Sequence, residues 1–219
     1  EFRRVLFRSW VSAHVYFGSA LLIIATLHTG FQFALNIHTL AYGLMCLVIF
    51  SGFFGVWAYV SYPQKRNTLK KSETLDDIFM RLEDSDSQLR KSVNKLPDSV
   101  RAVVTSAIDR TEIGGGVFDQ LLARDKSKVM IDGIVLANAN QNAAVDWLVK
   151  HMSNATGDES QQMAIIVRDY ASRQKLLSLI RSDIRMSAIQ EVWLFFHVPM
   201  SFGLIAALIA HIVSVFLYW

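Results

Sequence analysis

The sequence predicts an all-α protein: a transmembrane helical bundle, three spans in this chain, with a helical cytoplasmic insert. Three observations predict it. Residues 10–33, 39–62 and Val192–Trp219 contain no Asp, Glu, Lys or Arg, and each run is long enough to cross about 30 Å of hydrocarbon as a helix. Nearly all the charge is gathered between Pro63 and Gln190. Four histidines, His14, His28, His197 and His211, sit inside the uncharged runs as two pairs with one common spacing of fourteen positions.

Glu1–Ser9 (EFRRVLFRS) is what a common sequencing-adapter tail encodes, and residues 1–9 are set aside as an assembly scar before flanking charges are counted. The natural chain is then expected to extend upstream of Trp10, with further helices among the missing residues. Residues 10–62 form two spans, 63–190 the insert and 191–219 the third span. Hydrophobic residues make up 52% of the chain, and their concentration in blocks is what a bilayer requires and a soluble core does not. Acidic and basic residues almost balance in the insert, which gives no argument for nucleic acid. The lone Cys46 excludes an internal disulfide, and the absence of a C-x-x-C-H motif excludes covalent c-type haem attachment within this chain.

The insert reads as mostly helical. Thr74 and Asp77 have the spacing of a capping box, followed by Leu75, Ile78, Phe79, Leu82, Leu89 and Val93 near helical spacing. Pro97 and Asp98 open a second amphipathic stretch through Ile108, which Gly114–Gly116 break. With no strand before it, that glycine triplet reads as a hinge and not as a phosphate cradle. A helix is expected over Asp132–Met152, then a loop over Ser153–Asp158. A last helix from about Ser160 is expected to run on into the third span, and Pro199 should kink it. His151, beside Lys150, reads as a solvated or capping histidine.

Charge placement sets an orientation. The connection around Ala34–His38 is uncharged, whereas Lys65, Arg66, Lys70 and Lys71 follow the second span and Arg173, Lys175, Arg181 and Arg185 precede the third. By the positive-inside rule the insert faces the cytoplasm. Trp10, Trp57, Tyr59, Tyr62, Trp193, Tyr218 and Trp219 fall near span ends, as an aromatic belt requires. Spans one and three are then parallel, so His14 and His197 share the cytoplasmic depth and His28 and His211 the outer one.

An imidazole in hydrocarbon is costly unless it is paired or ligating. Fourteen helical positions place two side chains on nearly one face about 21 Å apart. Four imidazoles at two matched depths can therefore supply the axial ligands of two haems, one from each helix at each iron. His38, at the outer mouth of span two, is open to two readings: a hydrogen-bonded packing residue, or a contact to a haem propionate or a quinone. Gly18, Ser19, Ala25, Gly30, Gly52, Gly55, Ser201, Gly203, Ala206, Ala207 and Ala210 read as small residues that allow close helix packing; Gly18 and Gly203, each within two turns of a cytoplasm-side ligand, are open also to a second reading, leaving room for a flat macrocycle.

The segments HVYFGSALLIIATLHTGFQF (14–33) and WLFFHVPMSFGLIAALIAHIVSVFLYW (193–219) resemble the dihaem cytochrome b bundle of respiratory quinol-oxidising complexes, and equally the haem-bearing membrane domain of ferric reductases and NADPH oxidases. The resemblance covers about a third of the chain. It implies two non-covalent b haems with iron ligated by His14, His28, His197 and His211, and transmembrane electron transfer between a quinone or periplasmic partner and a cytoplasmic redox partner. It also implies a subunit of an oxidoreductase complex and not a stand-alone enzyme, in a bacterial inner membrane. Neither family carries a large polar insert between spans, and no flavin or nicotinamide domain follows Trp219 within this chain. Two other classes remain open: a membrane sensor with cytoplasmic signalling helices, or a structural anchor whose histidines coordinate nothing.

Overall fold

The computed structural model describes residues 2–67, 74–153 and 155–217. The elements in chain order are α1 (Phe2–His28), α2 (Ile37–Asn67), α3 (Leu75–Ser92), α4 (Asp98–Asp109), α5 (Val117–Leu121), β1 (Lys128–Ile131), β2 (Ile134–Ala137), α6 (Asn142–Met152) and α7 (Asp158–Leu217). They form two compact units: Glu1–Thr68 with Ile189–Trp219, and Leu69–Ala188. Lys70, Lys71, Tyr218 and Trp219, counted above among the flanking charges and belt aromatics, lie outside the described residues, as does Asn154 of the loop after α6.

In the first unit three helices are long and apolar enough to cross a membrane: Ser9–His28 and Ile37–Ala58, with mean hydropathies of 1.6 and 1.9, and α7, whose most apolar window reaches 2.3. The first helix stops at His28, short of residue 33. Gly30 and Phe31 both take left-handed backbone, with φ of 55° and 58°, which ends a right-handed helix. Asn36 starts α2 earlier than expected by accepting the backbone N–H of Thr39 at 3.0 Å, the bond an N-cap side chain makes. Across the α1–α2 pair the Tyr42 hydroxyl meets Thr26 Oγ1 at 2.9 Å, and the Phe33 and Tyr42 rings lie 5.6 Å apart. α7 continues unbroken through Pro199.

The second unit has a core of its own. Leu89, Val104, Ala107, Leu148, Ile166 and Tyr170 are buried together, and a smaller cluster gathers Ile78, Leu82, Leu177 and Ile180. At the head of α3, Thr74 and Asp77 form the expected reciprocal capping box. The Thr74 backbone N–H donates to the Asp77 carboxylate at 2.7 Å and its hydroxyl at 2.8 Å. Those two bonds, the backbone one first, hold the carboxyl below the usual aspartate range. Arg173, buried to 1% exposure, donates to Asp86 at 2.5 Å, to Thr111 at 3.0 Å and to Gln141 at 3.1 Å. Tyr170 and Asn138 give their protons to the same Gln141 oxygen. Arg181 grips Asp125 and donates to Ser127.

One expectation is corrected. Residues 132–138 are not helical: Asp132 and Gly133 form the turn of an antiparallel hairpin that pairs Lys128 with Ala137 and Ile131 with Ile134, and a single 3-10 turn, Ala139–Gln141, follows. Both turn residues have positive φ, 50° and 79°, as a two-residue hairpin turn requires, and Asp-Gly is a favoured pair for it. β1 is then tied to α4, with Met130 N–H donating to Ser106 Oγ at 2.8 Å and Val129 fully buried. The helix begins only at Asn142.

The capping box makes α3 sensitive to acid. A carboxylate whose folded pKa is depressed contributes stability above its unfolded pKa and loses it as pH falls through the folded value. Thr74→Ala is expected to lower the thermal midpoint of the insert at neutral pH. The gap to wild type should close as pH drops below the ordinary aspartate range, measured by circular dichroism melts of the full chain in detergent.

Candidate functional site

All four spaced histidines, and His38, belong to the first unit. His197 and His211 lie on α7, His14 and His28 on α1, and His38 on the first turn of α2. Among the described residues, neither His14 nor His28 makes a hydrogen bond or a ring contact, and both are exposed.

His197 is held firmly. Its ring stacks on Trp193 one turn earlier, with centroids 4.9 Å apart and planes 29° apart, and its Nδ1 lies 2.7 Å from Ser51 Oγ on α2. The same hydroxyl lies 2.9 Å from the Val48 carbonyl. With its hydrogen on Nδ1, His197 would donate to Ser51 and leave Nε2 free, the form in which a neutral imidazole ligates a metal.

Trp193, read from the sequence as a belt aromatic, instead turns inward. Its indole N–H donates to the Ser51 carbonyl at 2.8 Å, and its ring lies over Gly55, where a Cβ would collide with it. Gly52 lies against the other ring, since a Cβ there would approach His197 Cε1 to 3.8 Å. The glycines that admit close approach are therefore Gly52 and Gly55. A Cβ on Gly18 or Gly203 would meet nothing within 4 Å, so neither serves close packing.

His38 is brought to His211: the two Nδ1 atoms face each other in a hydrogen bond, and the rings meet edge to face with centroids 4.5 Å apart. His151 stacks on Trp147 at 3.6 Å and bonds its carbonyl at 3.0 Å in the last turn of α6, a structural use. Among the described residues no group of three or more His, Cys, Asp or Glu side chains could hold a bare metal ion. Haem iron makes a smaller demand on the protein, because the macrocycle supplies four nitrogens and the chain only the axial ligands. The imidazoles of His14 and His28, which make no hydrogen bond among the described residues, are of the type that demand calls for.

Close packing at Gly55 is as the sequence reading has it, but that reading missed Ser51. An apolar span tolerates Ser for backbone bonding alone, so nothing in the pattern distinguishes this serine. No family model, curated protein or solved structure matches the chain.

Filling the space above Gly55 should expel the indole. Gly55→Ala is expected to cost about 1–3 kcal/mol by overpacking and to lower the thermal midpoint in detergent. Gly18→Ala, whose added methyl meets open space, should leave the midpoint unchanged.

Proposed function

We propose that this chain is the membrane part of a dihaem b-type cytochrome, an electron-transfer subunit of an oxidoreductase complex. The observation that carries the reading is that His14 and His28 on one helix, and His197 and His211 on another, share one fourteen-position spacing inside helices of membrane-spanning length. The Ser51 hydroxyl beside His197 Nδ1 supports it, because a ligating histidine ordinarily donates its other ring N–H to a fixed acceptor. His14 and His28 would complete the two axial sets from α1.

Haem supplies reversible one-electron chemistry when bound. The chain's own part is to hold two such groups at two depths, about 21 Å apart along each helix. Two imidazoles offered to each haem would favour electron transfer over activation of oxygen or a substrate. By the positive-inside rule the basic flanks favour a cytoplasmic insert, and the setting that fits this reading is a bacterial inner membrane. There it would dock a soluble or membrane-bound redox partner, with a quinone or periplasmic partner serving the other face.

Purified from haem-replete cells, the protein is expected to carry about two haems per chain, read by pyridine haemochrome assay. His14→Ala and His197→Ala should lose the same haem, and His28→Ala and His211→Ala the other. A haem-free preparation would remove the reading in favour of an anchor or sensor. Loss of one common haem by the His14 and His211 variants would overturn the pairing.

In proteoliposomes with an enclosed reductant and an impermeant external acceptor, the haem-loaded protein should carry electrons across the bilayer. The His14→Ala and His28→Ala variants should not. Rapid carbon monoxide binding by the reduced wild type would reveal an open axial position and count against this account.

A further inference from the structure

The two α7 histidines have chemically different partners behind them. His197 Nδ1 faces a hydroxyl, Ser51, which also lies 2.9 Å from the Val48 carbonyl. His211 Nδ1 faces a second imidazole, His38. From this difference we infer that His38 is a positioning residue for His211: it accepts the His211 Nδ1 hydrogen and thereby lowers the reduction potential of the haem at His28 and His211. The inference rests on the dihaem reading and deepens it.

The direction of the bond follows from the role of His211. An imidazole that offers Nε2 to iron carries its hydrogen on Nδ1, so in the His38–His211 pair His211 donates and His38 accepts. His38 then has its own hydrogen on Nε2. The edge-to-face ring contact leaves the His211 ring one azimuth about its bond to α7, which is how a partner behind a ligand fixes its plane. An sp² nitrogen is a stronger acceptor than a serine hydroxyl. It therefore draws more of the His211 N–H bond toward itself and makes Nε2 a more basic donor. A more basic axial ligand favours the ferric state, and second-shell hydrogen bonding is a recognised means of tuning haem. His38 is placed for this role: it lies in the first turn of α2, directly after the helix start that Asn36 caps, and outside the two matched pairs.

The experiment is a redox titration of the full-length, haem-loaded chain, followed optically and by low-temperature electron paramagnetic resonance. His38→Phe keeps a ring against His211 but removes the acceptor. It is expected to keep two haems, to raise the midpoint potential of the haem that His28→Ala deletes, and to leave the other haem unmoved. His38→Gln, which restores an acceptor oxygen, should return the potential toward wild type and restore the wild-type ferric signal. If His38→Phe loses that haem, His38 is itself a ligand and the inference is overturned. An unchanged potential in His38→Phe, or an equal shift of both haems, also overturns it. Should His38→Phe not accumulate, the His38→Gln potential decides alone: a value near wild type with two haems supports an acceptor role, and loss of the haem refutes it. Wild type without haem would instead refute the dihaem reading, which the haemochrome assay reports separately.

Discussion

In an apolar span, every N–H that is not part of the helix ladder has to find an acceptor on a neighbouring helix, because none is supplied by the surrounding hydrocarbon. Ser51 meets that constraint for α7. Its carbonyl accepts the Trp193 indole and its hydroxyl hydrogen-bonds with His197, so one residue of α2 holds two residues of α7 that are themselves one turn apart and stacked. The arrangement depends on Gly55, which follows Ser51 by one turn and offers no side chain to keep the indole away from that carbonyl. This contact sets where the His197 ring sits against α2.

The second unit solves the same problem differently. Its polar interior is concentrated on Arg173, which is buried but satisfied by Asp86, Thr111 and Gln141. Removing one partner of such a buried pair typically costs about 3–5 kcal/mol, because the remaining charge is left uncompensated. Gln141 can serve as a shared acceptor because its backbone takes a left-handed conformation, φ 63°, just where the chain turns from the hairpin into α6. Arg173 therefore ties α3 and the end of α4 to this turn, and Arg181 repeats the device eight residues later through Asp125.

Much of this was legible in the primary structure. The lengths of uncharged sequence located the three apolar helices, and the Thr74–Asp77 spacing located the start of α3, because both rest on local periodicity and local hydrogen bonds. The break at Gly114–Gly116 was equally local. The hairpin was legible in principle from Asp132–Gly133. It was passed over because the apolar run that follows, Ile134–Ala137, continues into a helical pattern, and short apolar runs do not by themselves distinguish strand from helix. The first span was read too long because Phe31 and Phe33 are apolar, yet the backbone had already turned at Gly30.

By itself the sequence determined which residues lie in apolar helices, where the charged unit begins, and that two histidine pairs share one helical spacing. These depend on composition and on the 3.6-residue period, which any reader of the chain can compute. Only the tertiary structure decided what stands behind each histidine. Ser51 and His38 are separated from His197 and His211 by 146 and 173 positions, and no periodicity connects residues so far apart. Their meeting is set by the register in which α7 lies against α2, and a large indole over a glycine fixes that register.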